Sequence, residues 1–201
     1  MTSAQNNRIE TQRLTGLGVM TAMIVILQLL GSSVRFGPFS ISLVNVPLAI
    51  GAILYGTAGG VWLGFVFGLT VLLSGDAAAF LAVSIPGTVL TVLGKGMAAG
   101  GVSALVYRLF SGDRERLGAV AAAFCCPVVN TGVFLLGCFL FFMDTLAGWA
   151  EAAEMGGNVV RYMLVVLVGM NFLAELAVSA VLTPVILRLL SIIRTGRFRG
   201  K

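Results

Sequence analysis

Along this chain apolar residues come in long blocks, separated by short clusters of glycine, proline, serine and charge. The blocks run approximately over residues 14–31, 44–55, 59–74, 86–110, 117–143 and 159–193. A helix needs about 20 apolar residues to cross the hydrocarbon core of a bilayer, so most of the blocks are membrane-span lengths, and 44–55 is short for a full crossing. Pro47 falls in the first turns of the second block and Pro86 opens the fourth, positions that a helix tolerates or favours. Pro127 and Pro184 lie inside the last two blocks, and Pro127 implies a kink. Between the blocks the sequence predicts a Gly/Pro loop over 32–40, a tight uncharged turn over 55–59 and a semi-apolar loop over 77–85. A charged connection over 111–116 and an acidic loop over 144–158 follow. The polar start, 1–12, is read as lying ahead of the first helix. The apolar run after it exceeds the roughly 7–15 residues of a secretory h-region, so it is read as a span.

Composition agrees with this pattern. Hydrophobic residues make up 58% of the 201 positions and charged residues 10%, against about 25% charged in soluble domains. The expectation is an all-α integral membrane protein, a six-helix bundle in one domain over 1–201, with no room for a soluble enzyme or nucleotide-binding module. The net charge of +5 does not point to nucleic acid, because the basic residues sit at segment ends and not in a patch interleaved with aromatics. With six spans, ten of the thirteen basic residues fall on the side shared by both termini and the 111–116 connection. The positive-inside rule makes that side cytoplasmic. The opposite side receives Arg35 and Arg161 with Asp76, Asp144, Glu151 and Glu154.

The absence of histidine removes the commonest metal ligand and general base, and no clustered carboxylates replace it. The expectation is therefore a protein without catalysis, metal or cofactor. Cys125, Cys126 and Cys138 lie inside an apolar run without C-x-x-C spacing and are read as small buried hydrophobes. The candidate chemistry lies elsewhere, in a few polar residues inside the spans. Lys95 stands within a glycine-rich apolar stretch, where a cation costs roughly 2.5–3.5 kcal/mol on insertion scales and so needs a partner or a ligand. Counting about 1.5 Å of rise per residue, Asn130, Asn171 and Glu175 come to similar depth and would converge with Lys95 on one polar cavity. Asn171 and Glu175 share a helix face, as do Thr91 and Lys95, each pair being four residues apart. Two readings stand together: Lys95 and Glu175 pair while the asparagines bind helix to helix, or these side chains contact a polar solute. The aromatics Phe36, Phe39, Phe80 and Trp149 read either as an interfacial belt or as a lid. Small residues at Gly60, Gly64 and Gly68 suit close internal packing. Gly18 and Ala22 suit packing or docking to another subunit.

Several stretches carry a family resemblance. The run Phe36-Gly-Pro-Phe-Ser-Ile-Ser-Leu-Val-Asn-Val-Pro47, the glycine-marked Ala49-Ile-Gly-Ala-Ile-Leu-Tyr-Gly56, the glycines at 59, 60, 64 and 68, and Asn130-Thr-Gly-Val-Phe-Leu-Leu-Gly137 are the main ones. Together with six short spans, they resemble the substrate-binding S components of energy-coupling factor (ECF) vitamin transporters, over nearly the whole chain. The resemblance implies a subunit in a prokaryotic plasma membrane that captures a vitamin from outside with high affinity. It implies partners too: a transmembrane coupling subunit and two ATPase subunits, which would hydrolyse the ATP. Under it the solute-contacting set is Arg35, Phe36, Phe39, Asn45, Thr91, Lys95, Asn130, Asn171 and Glu175. Gly18 and Ala22 stand nearest to the family's docking motif on helix 1, which usually has two alanines. The helix 5 run looks most like pantothenate-type members, with folate and hydroxymethylpyrimidine types close behind, and Lys95 suits a carboxylate solute. The alternative is a stand-alone ion-coupled secondary transporter or channel, with Lys95, Asn171 and Glu175 as an ion path.

Overall fold

The computed structural model describes residues 3–33, 35–36, 39–40, 43–110, 114–155 and 158–199; the side chains of 3–9, 33, 35, 36, 39, 40, 170, 189, 190 and 192–199 fall outside that description. The chain is helical nearly throughout: α1 (Ser3–Ser33), α2 (Asn45–Leu73), α3 (Ala78–Leu81), α4 (Ile85–Leu109), α5 (Glu115–Phe141), α6 (Met143–Ala152), α7 (Val159–Tyr162) and α8 (Met170–Arg199). A π-helical stretch, Met163–Gly169, joins the last two. Between α1 and α2 a two-residue ladder, β1 (Arg35–Phe36) and β2 (Phe39–Ser40), pairs antiparallel where a plain loop was expected. Among the described residues five helices are long and apolar enough to cross a membrane: Glu10–Ser32, Asn45–Leu73, Ile85–Leu109, Glu115–Phe141 and Val159–Arg188.

The two expected segments 44–55 and 59–74 are both helical and meet at Gly56 without a loop. Gly56 has φ 74 and ψ −168, a backbone state open to glycine and strained for any other residue. The chain reverses there. In a straight helix Ala52 and Gly60 would lie about 12 Å apart. A Cβ placed on Gly60 would instead sit 3.1 Å from the Ala52 Cβ, and one on Gly51 would overlap the Leu63 side chain. Residues 45–55 and 57–73 are thus the arms of a helical hairpin.

The second arm packs on α4 backbone to backbone. A Cβ on Gly60 would overlap the Gly100 carbonyl, and one on Gly64 the Gly96 carbonyl; one on Gly68 would lie 2.8 Å from the Val92 oxygen. The numbering rises on one helix as it falls on the other, so the pair is antiparallel, and the expected internal role of these glycines is met. Small residues allow this approach where lipid offers no hydrophobic drive to hold helices together. Ile24, Leu48, Leu63 and Phe67 fill the core beside this seam, and Ala119, Ala122, Ala123 and Ile186 join α5 to α8.

Three boundaries depart from expectation. Helix α1 begins at Ser3 instead of residue 14, because glutamine, glutamate and arginine are good helix formers and apolarity marks membrane depth, not the end of a helix. The acidic segment 144–158 was expected as a loop, yet its first half is α6. There Leu146 and Ala150, one turn apart, are fully buried while Asp144 and Glu151 face outward. The block 159–193 is helical as expected but passes through the π-helical stretch, which its apolar sequence gives no sign of. Helix α4 starts as read: Pro86 lies in its first turn and Ser84 Oγ accepts from the Gly87 N–H at 3.3 Å.

Candidate functional site

Four helices carry polar side chains to one cavity of about 280 Å³ near one end of the bundle. From α4 comes Lys95, from α5 Asn130 and Thr131, and from α8 Asn171 and Glu175; Gln28 of α1 and Asp76, just past α2, complete the polar lining. The expected convergence of Lys95, Asn130, Asn171 and Glu175 is therefore what the fold produces. The stretch Met163–Gly169 contributes Leu167 and Val168 immediately before Asn171, a placement common for π-helical turns at functional sites.

Lys95 is half-buried, facing this space. Its Nζ lies 5.2 Å from the ring centre of Phe134 and 5.6 Å from that of Phe67, so the cation rests against two aromatic faces. It makes no contact with Glu175 at ion-pair distance. The Glu175 carboxylate, 2% exposed, accepts instead from Asn171 Nδ2 at 3.0 Å through Oε1, while Oε2 is buried without a hydrogen-bond partner. The direct pairing of Lys95 with Glu175 is not the arrangement found. The Lys95 Nζ is thus flanked by two ring faces and has no direct ion pair with Glu175.

An aromatic cluster borders the site. Phe80 of α3 meets Phe134, Phe142 and Trp149 edge to face, with centroids 5.6, 5.1 and 5.5 Å away. Buried Leu146 and Ala150 seat α6 beneath this cluster. Phe80 and Trp149 both line the cavity. On the far side Gln28 Nε2 donates to Asp76 Oδ2 at 2.7 Å, tying α1 to the turn after α2.

Two of the expected contact residues sit behind the lining. Thr91 is buried one turn from Lys95 against Gly137, where a Cβ would overlap it; it is a packing residue of the α4–α5 seam. Asn45, also buried, lies next to Glu175, and its Oδ1 accepts a weak bond from the Cys126 thiol at 3.9 Å. The side chains of Arg35, Phe36 and Phe39 lie outside the described residues. Gly18 and Ala22 are exposed on α1, and a Cβ on Gly18 would meet nothing within 4 Å, so this small-residue face points away from the bundle. Sequence reasoning missed Phe67, Phe134 and Tyr162, apolar or aromatic residues in apolar runs. It also missed Gln28, although a lone amide in an apolar helix is the same signal that marked Asn130.

A bundle of membrane-span helices holding a polar cavity lined in part by aromatic rings is an architecture suited to a membrane-embedded small-molecule-binding protein. The sequence profile of the family "ECF transporter, substrate-specific component" matches residues 12–187, and the chain belongs to that family. It is also 29% identical over 184 residues to the pantothenic acid transporter PanT of Lactococcus lactis subsp. cremoris (strain MG1363), covering 85% of this chain and 89% of that protein. No solved structure matches.

Proposed function

We propose that this chain is the solute-capturing subunit of an ATP-driven vitamin importer and that its solute is a carboxylate, pantothenate in the first instance. The observation that carries this is Lys95: a cation inside the cavity, set against Phe67 and Phe134 and without a direct ion pair. A carboxylate entering there gains a charge-assisted contact in a space screened from water. Asn130 and Asn171 offer hydrogen bonds to the polar remainder, and Phe80 and Trp149 exclude water above it. Similarity to a pantothenic acid transporter supports the same choice.

In this reading the two arms of α2 count as separate membrane segments, giving six, with both termini on the cytoplasmic side of a prokaryotic plasma membrane. At about 16 Å the first arm is shorter than the hydrocarbon core, so it penetrates without crossing on its own. The partners are a transmembrane coupling subunit and two ATPases, and the outward-facing Gly18 and Ala22 form the docking face. Gly18→Leu is expected to abolish co-purification with the coupling subunit while leaving solute affinity within about twofold, since Gly18 is exposed and a Cβ there meets nothing within 4 Å. Unchanged co-purification would remove that face from docking.

Reconstitution in liposomes tests the function. Accumulation is expected only with the coupling subunit, both ATPases and ATP. Accumulation by this chain alone, driven by an ion gradient, would establish a secondary transporter instead.

A further inference from the structure

Glu175 holds a position that carboxylate capture alone does not explain. Its Oε2 has no hydrogen-bond partner, and Lys95 lies beyond ion-pair distance. Deeper in the bundle it is backed by Asn45 from α2, which neighbours the Cys126 thiol of α5; Ser103 of α4 lies beside that thiol in turn. Asn45 Nδ2 and Ser103 Oγ are likewise buried without partners. Each of these groups works in both directions. A hydroxyl and a thiol donate or accept, and an amide presents a donor or an acceptor according to which way it is turned. A carboxyl group among such neighbours can be satisfied both ionised and protonated.

Charge counting makes that ambivalence matter. The titratable groups facing Glu175 are Lys95 from α4 and Cys126 from α5; its neighbour from α2 is the uncharged Asn45, and Asp76 and Tyr162 line the same cavity. With Lys95 protonated and both carboxyl groups ionised, the empty cavity carries a charge of −1. A carboxylate solute would bring it to about −2 in a space where like charges are poorly screened.

We propose that Glu175 is a proton-accepting group coupled to solute capture: ionised while Lys95 is its nearest counter-charge, and protonated once a solute carboxylate occupies Lys95. Capture then takes up one proton from solvent, and release returns it. This rests on the carboxylate reading of the site. Below the pH at which the free carboxyl ionises, affinity is constant. Above it, affinity falls about tenfold per pH unit until the bound carboxyl also ionises.

The test is isothermal titration of the purified full chain with pantothenate, in buffers of different ionisation heat across the neutral range. Uptake near one proton per solute is expected in the wild type and none in Glu175→Gln at whatever affinity that variant retains; where it retains none, the infrared difference of the wild type decides. Tight binding with no proton uptake would overturn the proposal and leave the carboxylate reading standing; uptake persisting in Glu175→Gln would overturn the assignment to this residue. Failure of the wild type to bind any carboxylate vitamin would remove the carboxylate reading and the proposal with it. Should Glu175→Gln not fold, the wild-type infrared difference between bound and free protein decides. A new carbonyl band of a protonated carboxylic acid supports the proposal, and its absence rejects it.

Discussion

Lys95→Met is expected to lower solute affinity by about 2–5 kcal/mol, a loss of roughly 30-fold to several thousand-fold, with the fold retained. The size follows from burial: a solute carboxylate drawn into this cavity without the ammonium is left desolvated and unpaired. Retention of the fold follows from geometry. Lys95 makes no direct ion pair with Glu175, and its Nζ contacts Phe67 and Phe134, rings that methionine also packs against. If Lys95 served stability only, the result would be reversed, with unaltered affinity and a lowered melting temperature. Equilibrium binding and thermal unfolding of the purified variant separate the two.

Gly64→Val is expected to prevent recovery of folded protein, and Gly64→Ala to lower its stability markedly. At Gly64 even one methyl group meets the Gly96 carbonyl, with the Met97 nitrogen 2.8 Å away, all backbone that cannot step aside unless α2 and α4 separate. Separation would open the seam that holds Phe67 and Lys95 against each other. Gly132→Ala is the matched control: the same methyl at Gly132 meets nothing within 4 Å, and the change removes a helix-weakening glycine worth about 0.5–1 kcal/mol. Thermal unfolding in detergent should place Gly64→Ala below and Gly132→Ala at or above the parent. Equal behaviour of the two would contradict the seam.

What was legible in the sequence follows from physics that acts locally. Apolar block length gave the helices, since bilayer thickness fixes it. Gly56 stood inside a turn that could be read, because proximity of the two blocks demanded a reversal. Lys95, Asn130, Asn171 and Glu175 were readable as a set because a polar group among apolar ones stands out, and helical rise turns position into depth. The rest depended on side-chain direction. Thr91 shares a face with Lys95, yet the approach of Gly137 turns it into a packing residue. Phe67 and Phe134 look like any other apolar residue until the fold brings both rings to one ammonium. The acidic residues of 144–158 concealed α6, whose buried face is carried by Leu146 and Ala150 between them. Opposite charge at similar depth points to direct pairing of Lys95 with Glu175. The asparagine four residues before Glu175 takes its Oε1 instead.

The central claim is that the cavity around Lys95 receives a carboxylate vitamin. Its most direct test is equilibrium binding to the purified chain alone, with pantothenate, folate, thiamine, riboflavin and biotin titrated in parallel. A sub-micromolar Kd for pantothenate is expected, with weaker binding of the others by about 100-fold or more and loss of the pantothenate signal in Lys95→Met. Tight binding of a non-carboxylate vitamin such as thiamine, or of none of the five, would contradict it.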